Sequence, residues 1–138
     1  MSVHKLTDDI SVASQISAEE VAALAQQGYR SIICNRPDGE SPGQPAFEDI
    51  ARAAEPLGLI VSFIPVQSGA ITEGDVRAFG EAVKRLPKPV LAYCRSGTRC
   101  AALWSLSEIG HRPADDILMR TEAAGYDMRG VLQSLLNK

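Results

Sequence analysis

Four short apolar runs, each followed by a stretch of helical period, leave this chain few folds to choose from. Residues 10–16 read as a strand with polar interruptions, 31–34 as a short apolar strand, 59–66 as a roughly alternating one and 90–93 as a buried one. Ser17 and Glu20 make a capping box ahead of Val21, Leu24 and Ala25, which share one helix face, and Gly28 stops that helix. A second helix is expected over 46–57, ending at Gly58. A third starts at Thr72 and Asp75 and ends near Leu86, where Pro87 and Pro89 break it. After the last strand, 99–109 reads as helical, Pro113 opens another helix and Asp127 caps a final one. Strand and helix alternating in this order predict an α/β fold: a mostly parallel sheet of four to five strands flanked by helices. One domain over residues 1–138 suits the length, and no repeat or linker divides the chain. Leu103, Trp104 and Leu106 fall at core spacing after the last strand, and Val131, Leu132, Leu135 and Leu136 are expected to close the core.

Composition excludes several function classes. The net charge of −3 gives no support to nucleic-acid or anionic-membrane binding. No apolar run approaches the roughly 18 residues of a membrane span. The opening MSVHKLTDD has no hydrophobic signal core. Three cysteines do not make a secreted disulfide framework, so a reducing, cytoplasmic setting with free thiols is expected. His4 and His111 are the only histidines, and no Cys/His cluster has zinc spacing. Neither a metal nor a cofactor is therefore expected.

The chemistry concentrates in Tyr93-Cys94-Arg95-Ser96-Gly97-Thr98-Arg99-Cys100, between the last strand and a helix. In an open parallel sheet, ligands sit beyond the C-terminal strand ends, where Cys94 falls. Ser96, Gly97 and Thr98 let the backbone curl so that its N–H groups form an anion nest at a helix N-terminus. Those amides favour a Cys94 thiolate, and the Ser96 and Thr98 hydroxyls could add to them. Arg99 can hold two oxygens of an oxyanion, while Arg95 and Arg36 could add positive charge. Nucleophile, cradle and arginine together suit attack on phosphorus or sulfur.

Around this corner the chain resembles the phosphatase-like domain of the beta-lactamase-hydrolase-like proteins, a bacterial group also labelled sulfur transferases. The resemblance rests on DDISVASQIS (8–17), YRSIICNRPDGE (29–40) with PGQP (42–45), FIPVQSGAITEGDV (63–76) and VLAYCRSGTR (90–99), and so covers nearly the whole chain. It implies a fold like that of dual-specificity cysteine phosphatases. The loop itself resembles the CRSG-type loop of rhodaneses, which pass sulfane sulfur through a cysteine persulfide. The resemblance also implies a place beside sulfide- or persulfide-oxidising enzymes.

The tyrosine-phosphatase signature is His-Cys, five residues, then Arg. Here Tyr93 stands in place of the His, only four residues separate Cys94 from Arg99, and Cys100 follows. The loop over residues 65–70, where such phosphatases carry a general acid, has no carboxylate. A general acid is typically worth about 10²–10⁴-fold. An alkoxide leaves poorly without one, whereas sulfite or a thiolate needs none. The sequence reading is therefore a sulfurtransferase that uses Cys94 and Arg99. Its expected partners are a small donor, thiosulfate or glutathione persulfide, and a thiol acceptor. Two alternatives stay open: a dual-specificity-type phosphatase working through a Cys94 phosphocysteine, and a non-enzymatic thiol redox module. Asp38 in Pro-Asp-Gly is a turn residue or a substitute acid. Cys100 and Cys34 are small core residues or resolving thiols. Cys34 should end the strand beside that of Cys94, by analogy with the phosphatase fold, close enough for a disulfide if the Cα atoms fall within about 7 Å.

Overall fold

The strand that delivers Cys94 is the middle of a five-stranded sheet. The computed structural model describes residues 1–136, with side chains through residue 133. Its strands are β1 (Val3–Lys5), β2 (Ile10–Ala13), β3 (Ser31–Cys34), β4 (Ile60–Phe63) and β5 (Val90–Tyr93), in the order β1-β2-β5-β3-β4. The pairs β2–β5, β5–β3 and β3–β4 are parallel, and only β1 runs antiparallel, on β2. Every residue of β2, β3 and β5 is buried, as strands covered on both faces must be. The strands read from sequence at 10–16 and 59–66 end earlier, at Ala13 and Phe63, because the chain turns there into the loops around the site.

The helices are α1 (Ala18–Gln26), α2 (Phe47–Ala54), α3 (Glu73–Arg85), α4 (Thr98–Ser107), α5 (Ala114–Ala123) and α6 (Arg129–Leu136). Both capping boxes form: Ser17 with Glu20 starts α1, and Thr72 with Asp75 starts α3. Val21 and Leu24 of α1 and Ile50 of α2 pack on Ile32, Leu91 and Tyr93 on one sheet face. Phe79 of α3, Leu103 and Trp104 of α4, Ile117 of α5 and Leu132 of α6 pack on Val12, Ile33 and Ala92 on the other. Each of the larger fully buried side chains contributes about 1.5–3 kcal/mol by leaving water. Residues 99–105 of α4 are all buried, so the helix behind the Cys94 loop is the innermost one. Leu106 is half-buried, and Leu135 and Leu136 lie outside the described side chains. No helix among the described residues is long and apolar enough to cross a membrane.

Candidate active site

β5 ends at Tyr93, and within four residues the chain must reverse into α4. Gly97 makes this possible: its φ of +92° is left-handed, and it is the N-cap of α4. The turn is tied from outside, with Cys94 N–H donating to Ala13 O (3.3 Å) and Gln15 N–H to Arg95 O (3.2 Å). It is also tied inward, since Gly97 N–H donates to Cys94 Sγ at 3.1 Å.

Cys94 is 1% exposed, yet its thiol is brought down to about 5. The largest cause is the Cys100 S–H directed at its sulfur. Next come the backbone N–H groups of Cys100, Gly97 and Arg99, all working against burial. A neutral thiol would leave those donors unmatched, so the nest selects the thiolate. Cys100 itself is fully buried, and its pKa rises well above the ordinary thiol range through desolvation and its thiolate neighbour. It stays a thiol, and Asn35 Oδ1, 3.3 Å away, is the other acceptor within reach of its one S–H. Asn35, buried at the end of β3, is fixed by its Nδ2–H to Ile64 O (2.9 Å).

Arg99 is held by Glu40. Its Nη1 donates to Glu40 Oε2 (2.7 Å) and to Val66 O (3.0 Å), and its Nη2 donates to Glu40 Oε1 (2.8 Å). Arg36 reaches the same carboxylate through Nε (2.9 Å), while Nη1 and Nη2 donate to Gln15 Oε1 and Ser41 Oγ. Arg36 is thus a buried member of the site, 5% exposed. Two guanidiniums share one carboxylate, which keeps a positive charge facing the thiolate. Hydrogen bonds from Arg99 and then Arg36 hold the Glu40 carboxyl at about 2.

Other expected residues take different places. The Ser96 and Thr98 hydroxyls bond each other at 3.0 Å at the exposed rim, not the Cys94 sulfur. Arg95 is exposed beside them. With Ser68, Gly69 and Arg99 these residues line a cleft of about 430 Å³, and no carboxylate lines it. Asp38 Oδ1 accepts the Phe47 N–H at 2.9 Å, so it caps α2, whose own N-cap, Ala46, has no side chain to do so. Cys34 does neighbour β5, but its side chain packs with Leu91 and Tyr93 on the sheet face opposite Cys94 and donates to Arg36 O. All three thiols are free. Among the described residues no group of three or more His, Cys, Asp or Glu side chains could hold a metal ion.

Sequence reasoning missed Glu40, Asn35, Gln15 and Tyr126, whose hydroxyl donates to Ser96 O at 3.1 Å. Only Glu40 left a trace: it stands four residues after Arg36 in the loop that faces the Cys94 turn.

The sequence model of the beta-lactamase hydrolase-like protein, phosphatase-like domain, matches residues 2–111. The chain belongs to this family. It is 37% identical over 130 residues to the beta-lactamase hydrolase-like protein of Xylella fastidiosa, covering 93% of this chain and 30% of that protein. The chain thus spans about a third of the length of the curated relatives it matches. A crystal structure of a candidate phosphatase from Neisseria meningitidis superposes with a TM-score of 0.88 at 35% identity, covering 99% of this chain and 98% of that one. The core catalytic domain of the PP-IP phosphatase SIW14 from S. cerevisiae matches at a TM-score of 0.69 and 15% identity, over 99% of this chain and 92% of that one. This last likeness is one of fold alone. The expected cysteine-phosphatase-like fold is the observed one, and the chain is an enzyme domain of phosphatase-like architecture.

Proposed function

We propose that Cys94 is a covalent nucleophile for anionic substrates whose leaving group departs without a proton, and that sulfur transfer is its reaction. One observation carries this reading: a thiolate set in an amide nest, beside which the Glu40 carboxylate is taken up by Arg99 and Arg36 and that of Asp38 by the Phe47 N–H. Cys94 attacks the outer sulfur of thiosulfate, the S–S bond breaks, and sulfite leaves with the electron pair. Cys94 then holds a persulfide. A thiol acceptor, as thiolate, takes the outer sulfur and restores the Cys94 thiolate. The loop N–H groups and Arg99 hold the anionic donor. Sulfide- or persulfide-oxidising enzymes are the proposed suppliers of the donor.

The second reading, a phosphatase, is the one the comparisons favour. The family is described as phosphatase-like, and the superposed structures carry phosphatase descriptions. Such a phosphatase would be confined to esters or anhydrides with good leaving groups, since Asp38 is occupied at α2.

Intact-protein mass spectrometry separates the two. After thiosulfate or glutathione persulfide, wild type should gain one sulfur and lose it to added cyanide or thiol, while Cys94→Ser gains none. No gain with any donor, together with Cys94-dependent turnover of an aryl phosphate, would replace sulfur transfer by the phosphatase.

A further inference from the structure

We infer that Tyr126 is a positioning residue for the nucleophile, acting on Cys94 through the single peptide group that joins Ser96 to Gly97. The carbonyl of that peptide accepts the Tyr126 hydroxyl at 3.1 Å, and its N–H donates to Cys94 Sγ at 3.1 Å. A peptide whose carbonyl is engaged becomes a better donor at its N–H, by roughly 10–30% per bond in condensed-phase estimates. The hydroxyl also fixes the plane of the peptide, and so the direction in which the N–H points.

Packing supports the same role. The Tyr126 hydroxyl lies where a Cβ on Gly97 would have to go, so the loop closes tightly against the phenol. The ring is held in turn. His4 meets it edge-on, with centroids 5.8 Å apart and planes at 83°. Tyr126 N–H donates to Thr121 O at 2.8 Å, and the ring packs beside Ala101, Ala102 and Met128. Tyr126 approaches the loop from its carbonyl side and does not line the cleft formed with Arg95, Ser96, Thr98 and Arg99. It lies beyond residues 2–111, the part matched by the family's sequence model. The segment after α5 therefore completes a site whose other residues all lie within that part. The inference holds for either chemistry proposed above.

The ionisable groups that face the Cys94 sulfur are Cys100 and Arg99 from α4 and Tyr126 itself, while Cys34 lies on the opposite sheet face and meets Cys94 only through its charge. The test is the pH dependence of Cys94 alkylation by iodoacetamide, mapped by peptide mass, in wild type and Tyr126→Phe. Phenylalanine keeps the ring and its packing and removes only the hydroxyl. The alkylation midpoint should rise by about half a pH unit, with an unchanged cooperative melt. Superimposable profiles would overturn the inference. So would a rise that appears only with loss of the cooperative melt, because Tyr126 would then merely hold the fold. His4→Ala, which loosens the ring and keeps the hydroxyl, should move the midpoint by less than Tyr126→Phe; an equal or larger shift also counts against the inference.

Discussion

Glu40 grips Arg99 with both carboxylate oxygens, Oε2 lying 2.7 Å from Nη1 and Oε1 2.8 Å from Nη2. Exposed ion pairs contribute little, but these guanidiniums are nearly enclosed: the Arg99 and Arg36 side chains are 9% and 6% exposed. Removing the carboxylate would leave two buried cations without a counter-charge and free Arg99 to drift from the loop. Glu40→Gln should lower the melting temperature and cut turnover by about 10²-fold, the scale of an ångström-sized misplacement. The Glu40 carboxyl sits at about 2, below its ordinary 4.5. A depressed carboxyl stabilises the fold above its unfolded pKa and stops doing so as pH falls through the folded one. The advantage of wild type over Glu40→Gln should therefore shrink between pH 4.5 and about 2, as followed by thermal melts across that range.

The Cys94 thiolate predicts a pH dependence of its own. Its folded pKa is about 5 against an ordinary 9. Between these values the native state has already released a proton that the unfolded chain still binds, so stability rises with pH. Wild type should gain on Cys94→Ser from pH 5 to pH 9, because serine does not titrate there. Parallel melting curves for the two proteins over this range would mean that the nest does not hold a thiolate.

Much of this arrangement is legible in sequence because it is local. The capping boxes at Ser17 and Thr72, the β5–α4 corner and Gly97 at its apex are each set by residues within a few positions of one another. What was not legible depends on chain crossings. Glu40 meets Arg99 across 59 positions, Asn35 meets Cys100 across 65, and Tyr126 meets Ser96 across 30. No periodicity encodes those meetings, since they follow from which strands are neighbours. β1 escaped for another reason. Its three residues, Val3, His4 and Lys5, are half-buried or exposed, so an edge strand of this kind carries no apolar signature.

Asp38 offers a clean test of the missing acid. It caps α2 through the Phe47 N–H, and α2 has no other side-chain cap. Asp38→Ala should cost about 1 kcal/mol, the ordinary worth of a helix cap, and leave turnover of sulfur donors and of aryl phosphate within about threefold. A general acid would instead show a loss of about 10²–10⁴-fold, confined to poor leaving groups. Steady-state rates on aryl phosphates of graded leaving-group pKa, alongside a thermal melt, distinguish the two roles.

Cys100 has one S–H and two acceptors within reach, Asn35 Oδ1 at 3.3 Å and the Cys94 sulfur. When Cys94 is ionised, the charged acceptor is the stronger of the two. This makes Cys100 a donor to the nucleophile, a different role from that of a thiol attacking it. Its burial and raised pKa keep it protonated, and a protonated thiol does not resolve a persulfide. Serine in its place retains a donor, whereas alanine does not. The alkylation midpoint of Cys94 should therefore rise by about one unit or more in Cys100→Ala and by less in Cys100→Ser. The persulfide formed on Cys94 should persist equally long in wild type and Cys100→Ser when no acceptor is added. A persulfide that outlasts the wild-type species in Cys100→Ser, with a Cys94–Cys100 disulfide accumulating in wild type, would make Cys100 a resolving thiol instead.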